Sequence, residues 1–305
     1  MKKYVTFALS ALLAVGTMAP ALAKGADQMT LVSYNIRNLF DGIPNPENTT
    51  GWKEKAKPEK ELKALSQVIH KLNADVIAFQ EVESLKVLTA FQKKYLQRLG
   101  YHAPILIEGN DRRGIDVALM SRFKVLSVKN YKDRRFSVPS KKSLQGFSRD
   151  LLQVKLEAPN HYTFSVFVAH LKSKYGGKKT DKKRKAEARE MYRILNRFHQ
   201  GHPKANFVLM GDFNDTPKSG PLKPLLRGQG ALKLQDITAR DLGIRPRVYT
   251  YHPKKYRSRI DYILVSPGMM PEYKKNSVHI YKSKAALKAS DHLPLVARFK
   301  IGEDR

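Results

Sequence analysis

The chain has 305 residues, 42% hydrophobic and 28% charged, enough to bury a full core and to exclude a mainly disordered protein. Lys and Arg number 57 against 27 Asp and Glu, a formal net charge of +30, which points to an anionic partner such as nucleic acid, a phosphorylated lipid surface or a polyanionic matrix. There is no cysteine, so disulfides, thiolate catalysis, zinc–thiolate sites and lipid attachment at cysteine are excluded.

The first segment reads as an address. Lys2 and Lys3 precede a short apolar run at residues 4–15, and Ala21-Leu22-Ala23 offers the small-x-small pattern cut by signal peptidase. That run is too short to span a bilayer comfortably, and no other stretch approaches the ~20 apolar residues a span requires. Residues 1–23 are expected to be a signal peptide, leaving 24–305 as one domain of an exported protein, secreted or periplasmic.

Residues 30–35 then read as a strand, and 36–58 as an irregular loop broken by Pro44, Pro46, Gly51 and Pro58. Residues 59–72 have helical spacing, with Leu62, Leu65, Val68, Ile69 and Leu72 on one side. DVIAFQE at 75–81 is a short apolar strand with a polar end, and Ser84 opens an amphipathic helix that closes near Gly100. Strands are expected near 102–108, 114–121, 124–131, 149–157 and 162–170. A long helix over 180–199 and a strand at 207–211 follow, with later strands at 247–251, 259–265, 277–281 and 294–301. Many strands, few helices, no linker and no strong repeat favour one two-sheet α/β domain.

The polar residues on these strands form a coherent set. Asn35 and Glu81 end the first two strands, His170 ends TFSVFVAH, and Asp212 and Asn214 follow FVLMG. Asp261 sits inside RIDYILV, and Asp291-His292 precedes LPLVARF. Any one of these is explained as readily by turn formation. Together they supply hard oxygen ligands suited to Mg²⁺, Mn²⁺ or Ca²⁺, and two histidines beside acids suited to proton transfer.

The segments SYNIRNLF, FQEVES, GIDVALMSR, GFSRD, VAHLKS, GDFNDTP, SRIDYILVS and SDHLPL occur in that order over roughly 29–301. Together they resemble the endonuclease/exonuclease/phosphatase superfamily, and GFSRD with the two histidines looks most like secreted deoxyribonucleases of the pancreatic type. The resemblance implies a four-layer α/β sandwich, two packed mainly antiparallel β-sheets flanked by helices. It implies Asn35, Glu81 and Asp291 at a divalent metal, Mg²⁺ first, with Mn²⁺ or Ca²⁺ as alternatives. Asp212 and Asn214 match residues that orient the nucleophile and hold metal or phosphate oxygens. His292 matches a general base or phosphate-binding histidine with Asp261 as its orienting carboxylate, and His170 matches the second histidine. Glu108 is a candidate carboxylate partner for His170, and Arg149 matches a phosphate-contacting arginine.

Substrate residues are read from charge. Eight basic residues lie between Lys172 and Lys185 against only Asp181, directly after His170, and so should rim the cleft; Lys172 and Lys174 are its nearest members. A second basic stretch covers 129–142, and Arg112 and Arg113, in a loop after Glu108, are candidates to enter a groove or grip backbone phosphate. A charge run is equally often a solvated face, yet neutralising several phosphates gives the sequence-independent binding a nonspecific nuclease needs. Tyr175 and Tyr131 are candidates to stack on bases, although such tyrosines more often pack. No HExxH is present, and GGKKT lacks P-loop spacing. The expectation is a monomeric, metal-dependent endonuclease acting on nucleic acid, DNA before RNA, leaving 5′-phosphate ends, without integral membrane association. The alternatives are a same-fold phosphodiesterase or phosphatase acting on lipid head groups, of the sphingomyelinase or inositol phosphatase type, and a catalytically silent polyanion-binding protein. Trp52 and the lysine-rich loops give little sign of a membrane-docking hairpin.

Overall fold

The computed structural model describes residues 27–302 apart from 52, 54 and 140. The expected signal peptide and Trp52 lie outside the described residues. The first half of the chain forms β1 (Gln28–Leu39), α1 (Glu59–Leu72), β2 (Val76–Val82), α2 (Leu85–Tyr95), β3 (Ile105–Leu106), β4 (Asp116–Ser121), β5 (Lys124–Lys129), β6 (Leu151–Glu157) and β7 (Thr163–His170). The second half forms α3 (Lys178–Gly201), β8 (Phe207–Asp212), α4 (Lys223–Leu226), β9 (Gln235–Asp236), α5 (Ile237–Leu242), β10 (Asp261–Val265), β11 (His279–Ile280), α6 (Lys284–Ala289) and β12 (Leu295–Lys300). No helix among the described residues is long and apolar enough to cross a membrane.

Local chemistry explains the helix ends. Glu59 and Glu61 lie in the first turn of α1 and His70 and Lys71 in the last, each complementing the helix dipole. Asn73 takes the left-handed conformation after the last turn and donates its N–H to the Ile69 carbonyl at 3.0 Å. Ser84 caps α2 by accepting from the Val87 N–H at 3.3 Å.

Two six-stranded sheets result, ordered β11-β12-β1-β2-β4-β3 and β5-β6-β7-β8-β10-β9. Only β1/β2 and β7/β8 pair in parallel, so both sheets are mixed but mainly antiparallel, as expected. Alternate side chains face opposite layers. Leu31, Ala78, Val168, Met210 and Ile263 meet between the sheets. Val32, Ile77 and Phe79 face outward onto α1, α2 and α6, while Phe207 and Leu209 face α3. The central strands β1, β2, β7, β8 and β10 are therefore apolar on both sides, which is why these segments read as continuous hydrophobic runs, whereas edge strand β5 is largely exposed.

Several expectations need correction. The strand at 102–108 shrinks to Ile105–Leu106, because Pro104 has no N–H to continue the edge ladder. Residues 247–251 form no strand; Tyr251 makes only isolated bridges to Ser258 and His292. The supposed loop after Asn35 begins instead as strand, since β1 runs on to Leu39 through an irregular register and left-handed Arg37 and Asn38. Four short elements (α4, β9, α5 and α6) were not anticipated.

Candidate active site

Parallel neighbours end at the same rim of a sheet, so each parallel pair delivers two strand ends to one place. On one sheet, register sets His170 beside Asp212, and Asp212 beside Asp261 on β10. Close approach makes this row possible: a Cβ at Gly211 would lie 1.9 Å from the Ala169 carbonyl oxygen. On the other sheet, β1 and β2 deliver Asn35 and Glu81. One amide joins the two sheets, with Asn35 Nδ2 donating to Glu81 Oε1 and to Asp212 Oδ2, each at 3.1 Å. Glu81 and Asn214 have φ of 65° and 53°, left-handed values that cost non-glycine residues about 1–3 kcal/mol and cluster at functional sites.

The remaining members are fixed by hydrogen bonds. His292 Nδ1 lies 2.8 Å from Asp261 Oδ2, and its Nε2 lies 3.7 Å from Asp212 Oδ2. His170 Nε2 lies 3.5 Å from the same Asp212 oxygen. The Asn214 N–H donates to Asp212 Oδ1 at 2.8 Å, and its amide donates to the Leu171 carbonyl at 3.0 Å. Two residues that sequence reasoning missed hold the group in place. Ser290 Oγ donates to the Asn35 carbonyl at 2.8 Å and accepts from the His292 N–H at 3.1 Å. Thr250 Oγ1 accepts from the Ile260 and Asp261 N–H groups, fixing the start of β10. Ser290 was legible beside Asp291-His292, whereas Thr250 had no signal because its role depends on a fold-back from 41 residues upstream of Asp291.

The electrostatics follow from burial. Burial opposes charge on His292, but the carboxylates of Asp261 and Asp212 outweigh it and push His292 up to about 10. Burial pushes the Asp212 carboxyl far above its usual range; attraction to His292 opposes the rise, and Asp261 and Glu81 add to it. His170 goes the other way, held well below the ordinary value by burial and then by Arg149 and Arg113. The site thus sets a charged histidine beside a neutral one.

A divalent cation fits this group. Among the described residues no Lys or Arg forms an ion pair with Glu81, Asp212 or Asp261, and Asp261 Oδ1 is buried without a hydrogen-bond partner. Asp212, Asp261 and His292 carry potential ligand atoms within 4.8 Å of one another, His292 only once it gives up the proton that these carboxylates hold on it. Asn35 and Glu81 adjoin that cluster through Asp212. Asp291 stands at its edge, Oδ2 4.0 Å from Arg37 Nε, although its charge still reaches His292.

Glu81, His170 and Asn214 also line a cavity of about 830 Å³ with Arg113, Arg149 and Lys172. Asp111, another residue missed in sequence, orients both arginines: its Oδ2 lies 2.7 Å from Arg149 Nε and its Oδ1 3.4 Å from Arg113 Nε. The GNDRR loop signalled it only by placing an acid beside two arginines. Lys174 does not line the cavity, because it donates to Asp215 at 2.9 Å. Arg184, from the same basic run, is fully buried against Asp215 and Asp181. Glu108 is not the partner of His170. It lies by Asp116, burial raises its carboxyl, and His170 Nδ1 is left without a partner. Tyr131 bonds Gln153 at 2.7 Å away from the cavity. A larger groove of about 1050 Å³ lies at the opposite rim around Phe198 and Pro267, with no such cluster.

Residues 30–294 match the Endonuclease/Exonuclease/phosphatase family. No curated protein matches the sequence. Among solved structures, the catalytic domain of human Nocturnin with a bound sulfate anion is 21% identical with TM-score 0.65, covering 90% of this chain and 95% of that one. D. rerio TDP2 complexed with single-strand DNA product is 17% identical with TM-score 0.57, covering 89% and 98%. A Bacteroides thetaiotaomicron mannosyl-6-phosphatase is 19% identical with TM-score 0.58, covering 88% and 98%. At these identities the likeness is one of fold.

Proposed function

The chain belongs to the endonuclease/exonuclease/phosphatase family, and on that premise we propose that it is an exported, metal-dependent nuclease that hydrolyses DNA with little sequence preference. In this reading residues 1–23 are a signal peptide and 24–305 the mature, monomeric catalytic domain, most like secreted deoxyribonucleases. The observation that carries the proposal is a carboxylate cluster with no Lys or Arg partner among the described residues, meeting two histidines beside a cationic cavity that Glu81, His170 and Asn214 line.

Phosphodiester hydrolysis needs charge stabilisation on the phosphoryl group, a proton acceptor for the attacking water and a positioned leaving oxygen. Asn35, Glu81 and Asp212, with Asp291 at the edge, would hold a divalent cation, Mg²⁺ first. When bound, such an ion polarises a phosphoryl oxygen and acidifies water. His292, kept charged by Asp261 and Asp212, suits donation to a phosphoryl oxygen better than proton removal. Asp212, whose carboxyl is raised by burial, suits acceptance of the water's proton. Arg149, fixed by Asp111 and the Leu171 carbonyl, supplies a rigid positive group beside His170 and Asn214. As the water's oxygen bonds to phosphorus the bond to the 3′-oxygen breaks, that oxygen takes up a proton from bulk water, and the phosphate stays on the 5′ end.

Incubation of the purified protein with supercoiled plasmid and Mg²⁺ or Mn²⁺ tests this, with EDTA and His292→Ala as controls. Nicked and linear products that require both the ion and His292 are expected. A plasmid left intact under every ion would overturn the DNA reading and move the site to phosphomonoesters or choline and inositol head groups.

A further inference from the structure

The cavity carries features that hydrolysis at the cluster does not use. Besides Arg113, Arg149 and Lys172, it is lined by Arg112, Arg135 and Lys183, against only Asp111 and Glu81. Some of these cations are oriented without being neutralised. Arg112 donates to the hydroxyl and carbonyl oxygens of Thr49, and Arg135 donates to the Lys132 carbonyl at 2.8 Å. Lys183, by contrast, is bonded to the Gly146 carbonyl and also pairs with buried Glu187 at 3.9 Å, so its charge is shared with that carboxylate. Neutral oxygens fix a side chain but leave its charge free for an anion. Burial first, then crowding among neighbouring cations, lowers Lys172, as expected where several positive groups face one cavity.

Two large apolar side chains stand exposed on the same cavity. Tyr175 is 93% exposed and Leu144 is 63% exposed, each on a separate loop. The Tyr175 loop is built to present it: its N–H donates to Ser173 Oγ, and Thr180 Oγ1 donates to the Lys174 and Gly177 carbonyls. Exposed apolar surface on a cationic, concave wall continuous with the reacting cluster indicates a ligand that combines phosphate with a flat or apolar face.

We infer that this cavity seats the nucleotides flanking the scissile phosphate as an unpaired strand, with a base stacked on Tyr175 against Leu144 and its phosphates on Arg112 and Arg135. The inference rests on the nuclease reading and narrows it to single-stranded or locally melted DNA. A base offers its face to a side chain only when it is not stacked inside a duplex, and stacking of this kind tolerates any sequence.

The test compares one fluorescent oligonucleotide, single-stranded and as a hairpin duplex, for binding in EDTA and for cleavage with Mg²⁺. The purified protein should favour the single strand at least tenfold. Tyr175→Ala should lose roughly 5- to 150-fold in single-strand affinity, the range for one base–aromatic stack, and Leu144→Ser should lose less. Tyr256→Ala, at an exposed tyrosine outside the cavity, should keep the preference. Melting curves establish that each variant is folded. Equal or better use of the duplex, or a Tyr175→Ala protein with undiminished preference, overturns the inference and leaves the nuclease reading standing. Failure to bind or cut either form overturns both.

Discussion

Asp212 and Asp215 lie three residues apart, and each is almost fully buried, at 2% and 1% exposure. Their surroundings are opposite. Asp215 accepts from Arg184 Nη2 at 2.8 Å and from Lys174 at 2.9 Å, and against the cost of burial these cations hold its carboxyl below the ordinary range. Asp212 faces Asp261 and Glu81, has charged His292 but no Lys or Arg beside it among the described residues, and is raised. One aspartate is a structural tie between a loop and α3. The other is left with charge that a metal, a proton or a substrate must complete. Buried charge marks a working site where compensation is missing, not where acids are most numerous.

The sharpest way to break the comparison is to remove each charge in turn. Asp212→Asn keeps the shape but loses both the cation ligand and the proton acceptor. Hydrolysis should fall roughly 10²–10⁴-fold, with a melting temperature equal to or above the parent's, measured by steady-state kinetics and calorimetry on one preparation. Arg184→Met attacks the other side. It leaves Asp215 deep in the protein with only the exposed Lys174 for compensation, and removal of one partner of a buried pair costs about 3–5 kcal/mol. Denaturant unfolding should show that loss, while turnover per folded molecule stays near the parent's. Adding Asp215→Asn should restore part of the stability; strict additivity would show that the two residues do not act as a pair.

The same contrast explains how much was legible in the sequence. Strand ends, α1 and the residue types of the cluster were readable because strands apolar on both faces make any polar terminus conspicuous, as at Glu81, His170 and Asp212. The basic run after His170 was readable only as charge. Its members divide by helix phase and loop geometry: Lys172 and Lys183 face the cavity, Lys174 turns to Asp215, and Arg184 is internal. Glu108 failed as a partner for His170 because it was matched by resemblance alone, 62 residues away in the chain, and the fold sets its carboxyl by Asp116 instead. The short helix α6 follows a Ser283 cap with Ala, Leu and Lys, a readable signal that was overlooked between two expected strands.

Metal binding should sharpen the difference between the two acids. A cation that binds only the folded state stabilises it by about 2.7 kcal/mol at a concentration 100 times its Kd. Mg²⁺ or Mn²⁺ should therefore raise the parent's melting temperature, and Glu81→Gln and Asp212→Asn should largely remove that increase. Asp215→Asn should leave it intact. An equal metal response in the Asp212 and Asp215 variants would place the ion elsewhere.

The finest test is the sign of the pH dependence, measured in EDTA so that no ion takes part. Asp215 has a lowered carboxyl, so its ionised form stabilises the fold above the unfolded value near ~4, and that stability is lost as pH falls through the lower, folded value. Asp215→Asn should therefore be less stable than the parent at neutral pH, by about 1.5–3 kcal/mol for a lost charge-assisted hydrogen bond, with the gap closing toward acid. Asp212 has a raised carboxyl, so ionisation costs stability that begins above ~4 and grows until pH reaches the folded value of about 7. Asp212→Asn should match the parent at acid pH and gain on it as pH rises to neutrality. Two isosteric substitutions three residues apart, one ending β8 and one in the loop after it, would then bend the stability curve in opposite directions. Parallel curves would mean that Asp212 is compensated in the metal-free protein, and the argument for a cation at this rim would lose its electrostatic basis.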